Sequence, residues 1–209
     1  MEKLEPEKNL YIFLLLSFSG VFIWSGISPN DRFTWVLEVL PAMLALAVLL
    51  ATYHRFRFTR LAYLLMWGHA LILLVGAHYT YAEMPLFNWF RDWLTLSRNH
   101  YDRVGHLAQG FVPAIVAREI LLRTTPLRPG KMLFFLVVSI CLAASAFYEF
   151  IEWWVALATG DAGEKFLGTQ GDCWDTQGDM FMCFLGAILA QLLLARRHDR
   201  ELPHPVARS

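Results

Sequence analysis

Six stretches of this chain are long and apolar enough to cross a bilayer, and short polar connections join most of them: 10–27, 33–53, 61–81, 104–122, 132–157 and 179–195. A transmembrane helix needs about 20 mostly apolar residues, and it satisfies its own backbone N–H and C=O groups where no water reaches them. The chain is 56% hydrophobic and 17% charged, with a mean hydropathy of +0.41, whereas a soluble domain carries about 25% charged residues. The expected fold is therefore all-α: a polytopic bundle of six transmembrane helices within residues 1–195, followed by a solvated cytoplasmic tail over 196–209.

The cations orient this bundle. If six helices cross, the N-terminus, the second and fourth loops and the C-terminus share one side, and that side holds 13 of the 18 Lys and Arg residues. The positive-inside bias puts both termini in the cytoplasm. The formal net charge is zero, which with this asymmetry argues for the lipid bilayer and against nucleic acid as a partner. His54-Arg-Phe-Arg-Phe-Thr-Arg60 reads as a cytoplasmic-leaflet anchor. The first stretch runs apolar to Ile27 with no small-residue cleavage site behind it, so it reads as an uncleaved anchor. Cys141, Cys173 and Cys183 are an odd set that argues against structural disulfides.

Against this apolar background His78, Glu83, His100, Asp102, His106, Glu149, Glu152, Asp172, Asp175 and Asp179 lie in or beside membrane-length segments. Ionisable groups at membrane depth are costly and call for a partner or a function. Alternating helix direction brings them to one layer at the outer ends of the third to sixth helices. At 1.5 Å per residue, Glu149 stands about 25 Å above Met132, near the outer edge of the hydrocarbon. Asp102 and His106 are i,i+4, Glu149 and Glu152 are i,i+3, and Asp175 and Asp179 are i,i+4, so each pair shares a helix face.

Carboxylates so paired share a proton or recruit a cation, and mixed imidazole and carboxylate ligands suit zinc, manganese or iron. The expected metal ligands are His78, His106, Asp175 and Asp179. Glu149, Glu152 and Asp102 are the expected catalytic acids, and Glu83, His100 and Asp172 complete the polar cluster. The spacing of Asp102 and His106 is not the His-Glu-x-x-His of a zincin, and no Glu-x-x-His of a di-iron bundle is present. Plain structural roles compete: Asp102 as a helix-entry carboxylate, Asp172, Asp175 and Asp179 as caps of the last helix, and Glu149 as the partner of Arg103 or His106. His69 precedes His78 by nine residues, half a turn out of phase, and reads as a hydrogen-bonded packing residue. His54, His198 and His204 read as solvated at the cytoplasmic side.

Four segments carry a family resemblance: His78-Tyr-Thr-Tyr-Ala-Glu83-Met-Pro, Asn99-His-Tyr-Asp-Arg-Val-Gly-His106-Leu-Ala-Gln-Gly-Phe, Tyr148-Glu-Phe-Ile-Glu-Trp-Trp154 and Gly171-Asp-Cys-Trp-Asp-Thr-Gln-Gly-Asp-Met180. They resemble the motifs of the YjdF family of bacterial inner-membrane proteins, over nearly the whole chain. The resemblance implies a multi-pass protein of the bacterial inner membrane and brings no activity with it. A looser similarity is to VanZ-like membrane proteins, associated with glycopeptide resistance and the cell envelope. Their outline of an Asp and His opening one helix, a Glu closing the next and acids beginning the last is matched by Asp102, His106, Glu149 or Glu152, and Asp175 or Asp179.

Three functions follow from the polar layer. The first is a metal-dependent hydrolase, in which a bound metal lowers the pKa of its water to about 7 and a remaining carboxylate acts as general base against a lipid-linked or envelope substrate at the outer leaflet. The second is a non-catalytic membrane partner whose polar layer locks helix packing. Interhelical polar contacts contribute only about 0.6 to 2 kcal/mol each in membranes, so a layer of ten such residues exceeds what packing alone requires. The third is a proton-coupled transporter, which the lack of an internal repeat and of broken midplane helices disfavours.

Overall fold

A computed structural model describes residues 4–160, 163 and 166–203. Lys3, Lys165 and Arg208 of the charge count, and His204, lie outside the described residues. The named elements are all helical: α1 (Leu4–Gly26), α2 (Arg32–Thr52), α3 (Arg60–Tyr79), a single 3-10 turn (Tyr81–Glu83), α4 (Pro85–Trp93), α5 (Tyr101–Thr124), α6 (Lys131–Thr159) and α7 (Asp175–Glu201).

Among the described residues five helices are long and apolar enough to cross a membrane: α1 over Lys8–Gly26, and α2, α3, α6 and α7 over their full lengths. The sixth expected span, 104–122, lies inside α5, whose 24 residues include Asp102, Arg103, His106, Gln109, Arg118, Glu119 and Arg123. These polar residues lower its hydropathy, and the packing explains how they are carried. α5 contacts α3, α6 and α7, so Asp102, His106, Arg118 and Glu119 are buried against protein instead of facing lipid.

Side-chain contacts set the helix directions. Tyr11 packs on Tyr63, Trp67 donates to Ser17 at 3.0 Å and Ser25 donates to the Leu74 carbonyl at 2.7 Å, so α1 and α3 run parallel. Trp35 near the start of α2 donates to Ser25 near the end of α1, which makes α2 antiparallel to both. One apolar core joins α3, α5, α6 and α7 through Ala62, Ile115, Val137, Cys183 and Ala187. A second joins α1, α2 and α3 through Phe18, Val39, Leu74 and Ala77. Phe13, Leu16, Val48, Phe135, Leu192 and Leu193 are exposed on the outside, the inverse of a water-soluble surface and the expected face toward lipid.

Two departures concern the helix ends. The connection between α3 and α5 contains α4, an amphipathic helix with Pro85 at its start and Leu86, Trp89 and Trp93 exposed; the Trp89 and Trp93 rings stack at 5.7 Å. Such a helix suits an interface plane. The last helix runs to Glu201, so residues 196–201 continue α7, with Arg196, Arg197, Asp199 and Arg200 exposed. His198 there is 0% exposed, contrary to its expected solvation. Its Nδ1 lies 2.8 Å from Arg118 Nη1 and its Nε2 3.1 Å from Glu119 Oε2. Arginine donates only, so the proton sits on Nε2 and is donated to Glu119. Glu119 also accepts from the Thr59 N–H at 2.9 Å, the Thr59 hydroxyl at 2.8 Å and Arg123 at 2.7 Å. Arg118 donates to Asp199 at 2.6 Å, and the Leu61 N–H donates to Glu201 at 2.8 Å. This network ties the start of α3 to the ends of α5 and α7.

Candidate metal centre

The opposite ends of α5 and α7 meet over α6, and a loop clasp holds them in register. Asn99 is fully buried: its side chain accepts from the Tyr101 N–H at 3.0 Å, which opens α5, and donates to Met84 O and Asn88 Oδ1, each at 2.9 Å. Gln170 pairs with the Asn99 backbone in both directions at 2.9 Å. The segment before α7 is thus fixed to the start of α5. Asp172 caps it by accepting from the Trp174 N–H at 2.9 Å. That hydrogen bond, reinforced by Arg98 and Arg103, holds the Asp172 carboxyl below the usual carboxylate range.

Two guanidinium groups bridge the acids. Arg98, 5% exposed at its side chain, contacts Asp102 at 3.7 Å and Asp172 at 3.3 Å, and makes a short contact with Asp175. Arg103 contacts Asp172 at 3.2 Å and Asp175 at 2.9 Å, makes a short contact with Asp179, and donates to the Asp175 carbonyl at 2.8 Å. The acids at the start of α7 are therefore more than solvated caps, since they are clamped to α5 by arginines that the sequence reading did not assign to the site.

His106 stands inside this clamp. Its Nε2 is 3.5 Å from Asp102 Oδ1 and 3.8 Å from Asp179 Oδ1, and ligand atoms of the three buried residues lie within 4.8 Å of one another. Around an ion with bonds of about 2.1 Å, tetrahedral ligand atoms stand about 3.4 Å apart, so the three residues fit one metal with little movement. On the other side of the ring, Nδ1 lies 2.8 Å from Gln109 Oε1. That contact places a proton on Nδ1 and directs the Nε2 position at the two carboxylates, as an orienting partner does for a metal-binding histidine. Whatever occupies the space between Nε2 and these oxygens must be positive, either a proton or a metal.

Glu149 Oε1 lies 3.8 Å from His106 Nδ1 and, although buried, accepts no hydrogen bond. Asp179 Oδ1 touches Arg103 as an ion pair but receives no aligned hydrogen bond. Glu152, one turn beyond Glu149, is buried within electrostatic reach of Glu149, Asp102, Asp179 and Asp175. Buried polar atoms are nearly always paired, so Glu149 Oε1, buried beside the imidazole without a hydrogen bond or a guanidinium, marks the one open position of the site among the described residues.

Three expected members stand apart from this group. His78 Nδ1 lies 3.1 Å from the Ser25 carbonyl and its ring packs on Trp24 at 4.4 Å, so this face of α3 turns to α1. Depth along the helix matched His106, but rotation about the axis did not. Glu83 is exposed and accepts from Asn30 at 3.1 Å. His100 borders the site beside Arg98, Arg103 and Asp172, and burial followed by the two arginines lowers its pKa below the ordinary imidazole value.

The half turn that separates His69 from His78 sends it the other way, toward α5. It lines a cavity between α3 and α5 and lies within electrostatic reach of His106. Its Nε2 is buried without a hydrogen bond, in place of the expected hydrogen-bonded packing role. Glu38 on α2 is a further acid of the layer: 2% exposed, with Oε2 unpartnered, and within electrostatic reach of Asp102. A lone acid in an apolar span was itself a signal that called for it.

No solved structure matches the chain. It is 51% identical over 187 residues to the inner membrane protein YjdF of Escherichia coli (strain K12), covering 90% of each chain. A family model described as predicted membrane protein (DUF2238) matches residues 10–200. With five membrane-length helices and that match along most of its length, the chain belongs to this family of multi-pass membrane proteins.

Proposed function

We propose that this protein is a metal-binding membrane hydrolase of the bacterial inner membrane, with six spans, both termini in the cytoplasm and its site at the periplasmic face. Asp102, His106 and Asp179 would hold a zinc, manganese or iron ion. The observation that carries this reading is the approach of His106 Nε2 to two carboxylate oxygens at 3.5 and 3.8 Å, beside the orphaned Glu149 Oε1. A metal there would supply a Lewis acid and water made acidic enough to ionise near neutral pH. Gln109 would orient the imidazole through Nδ1, and Glu149, on that same side of the ring at 3.8 Å from Nδ1, and Glu152 would add negative charge to the site. The substrate is a lipid-linked or envelope molecule whose polar part reaches the outer leaflet.

The charge balance at the two ends of the bundle supports a function over a packing role. At the His198 end, Glu119, Asp199 and Glu201 are each paired with an arginine, Arg123, Arg118 and Arg197 respectively. At the His106 end, Glu38, Asp102, Glu149, Glu152, Asp172, Asp175 and Asp179 meet only Arg98 and Arg103 among the described cations. A lock needs neutrality, because unpaired buried charge is destabilising. Excess buried acid is neutralised either by bound protons or by a cation from outside, and the metal is the second of these. The arginine clamp on Asp172 and Asp175 favours a second reading for that part of the layer, as a brace within a non-catalytic partner protein.

Elemental analysis of detergent-purified protein tests the first reading. About one metal per chain is expected in the wild type, with loss in His106→Ala and retention in Glu149→Ala. Metal-free wild type, purified without chelator and unable to take up zinc, manganese or iron, would overturn it. Orientation has a natural reporter: Cys173 is exposed, while Cys141 and Cys183 are buried. A membrane-impermeant maleimide is expected to label Cys173 from the periplasmic side of spheroplasts, and protection until lysis would reverse the topology.

A further inference from the structure

At the end of the bundle opposite the acid layer, a cavity of about 340 Å³ opens between α5, α6 and α7, lined by Arg118, Lys131, Gly130, Phe134 and Gln191 among others. We propose that it binds the headgroup of an anionic phospholipid from the adjoining leaflet.

The charge around the cavity is net positive. Arg118 is 3% exposed in the wall, paired with Asp199 at 2.6 Å and 2.8 Å from His198 Nδ1. Lys131 is exposed at the rim, Arg128 precedes it by three residues, and Arg196 follows the lining residue Ala195. No Asp or Glu occurs from 120 to 148, which covers the α5–α6 connection and most of α6, or from 180 to 198 on α7. Glu119, the nearest preceding acid, is already neutralised by Arg123 and bonded to His198. An anion entering the cavity therefore meets the exposed Lys131 and Arg118, the latter shared with Asp199, and no carboxylate that lacks a cation.

The remainder of the wall selects an amphiphile over a free anion. Leu133 and Phe134 line the cavity, and next to them Met132 and Leu192 are 61% and 69% exposed on the lipid-facing surface. A headgroup beside Arg118 and Lys131 would leave its acyl chains on this apolar face without crossing a polar barrier. Gln191 donates to the Phe134 carbonyl at 3.3 Å, which clips α7 to the first turn of α6 and gives the cavity a fixed floor. Basic pockets between helices at the cytoplasmic side suit such headgroups.

Native mass spectrometry of the full chain in mild detergent, titrated with dioleoyl phosphatidylglycerol or dioleoyl phosphatidylcholine, tests this. Bound phosphatidylglycerol is expected to survive at several-fold lower lipid concentration than phosphatidylcholine. Lys131→Gln, at an exposed position, should weaken it about five-fold, the effect of one surface cation. Ala195→Trp, which fills the cavity from α7, should abolish the preference, while Arg60→Gln on α3 should leave it intact. Equal retention of both lipids, indifference to Lys131→Gln and Ala195→Trp, or displacement by millimolar inorganic phosphate would each overturn the assignment, the last by showing a free-anion site.

Discussion

Gly110 on α5 meets the backbone of Cys183 on α7 so closely that a Cβ added to it would stand 1.8 Å from the Cys183 carbonyl oxygen. The relation is reciprocal one turn away, where a Cβ on Gly186 would stand 2.1 Å from the Leu107 carbonyl oxygen. Small residues let helix backbones approach in membranes, where van der Waals packing and not the hydrophobic effect drives association. This approach places Asp179 against His106, because both lie one to two turns toward the same end.

Gly110→Ala and Gly186→Ala are therefore expected to destabilise strongly. The obstructing atoms are backbone, so no rotamer change relieves the overlap, and the cost is at the upper end of the 1–3 kcal/mol of overpacking or above it. Thermal unfolding in detergent should show a clear fall for both variants. Gly20→Ala, where nothing lies within 4 Å, should be unchanged, and equal behaviour of all three would refute the close contact.

How much of this was legible beforehand follows from which coordinate a sequence encodes. Hydropathy marked α1, α2, α3 and α6, because each is apolar around most of its circumference. It understated α7, whose last turns are polar and still helical, since helix formation does not end where hydrocarbon does. Depth along each helix was readable from 1.5 Å per residue, and it brought Asp102, His106, Glu149 and Asp179 to one layer. Rotation about the helix axis was not readable, because it depends on partners distant in sequence. Thus His78 met Ser25, His69 turned to α5, and His198 was buried by Arg118 and Glu119, about eighty residues away. The arginine clamp was hidden for the same reason: Arg98 and Asp175 are 77 positions apart.

Gln109 is expected to tune metal binding without being a ligand. Its oxygen fixes the Nδ1 proton of His106 at 2.8 Å, and loss of such a partner typically weakens metal affinity 10- to 100-fold. Gln109→Leu keeps the approximate size and removes the acceptor. Competition with a chromophoric chelator should show the weakening, with helix content and thermal midpoint close to wild type. Unaltered affinity would remove Gln109 from the site.

Arg98 should be the more costly of the site's cations to remove in isolation than together with its partner. Its side chain and that of Asp175 are 5% and 7% exposed, so Arg98→Met leaves buried acids with less compensation, and breaking such a pair costs about 3–5 kcal/mol. Arg98→Met with Asp175→Leu restores apolar contact and removes one orphaned charge. The double variant is expected to be more stable than Arg98→Met alone in denaturant unfolding. Additive losses would show that the two side chains do not act as a pair.

His100 supplies a pH signature of the clamp from outside the spanning segments. Its pKa is lowered from the ordinary 6.5, first by burial and then by the charges of Arg98 and Arg103, while Asp172 acts in the opposite direction. The unfolded chain thus takes up a proton at higher pH than the folded one. The stabilising contribution of this residue is present above about pH 6.5, falls as pH drops from there through the folded-state pKa, and changes no further below it. The histidine Cε1–H resonance, assigned with His100→Gln, should titrate below pH 6.5 in the wild type. Asp172→Asn removes the one opposing charge and should move the midpoint lower still, provided the arginines keep their place against Asp175. A midpoint at or above 6.5, or an upward shift in Asp172→Asn, would mean that the two guanidinium groups are not held beside His100.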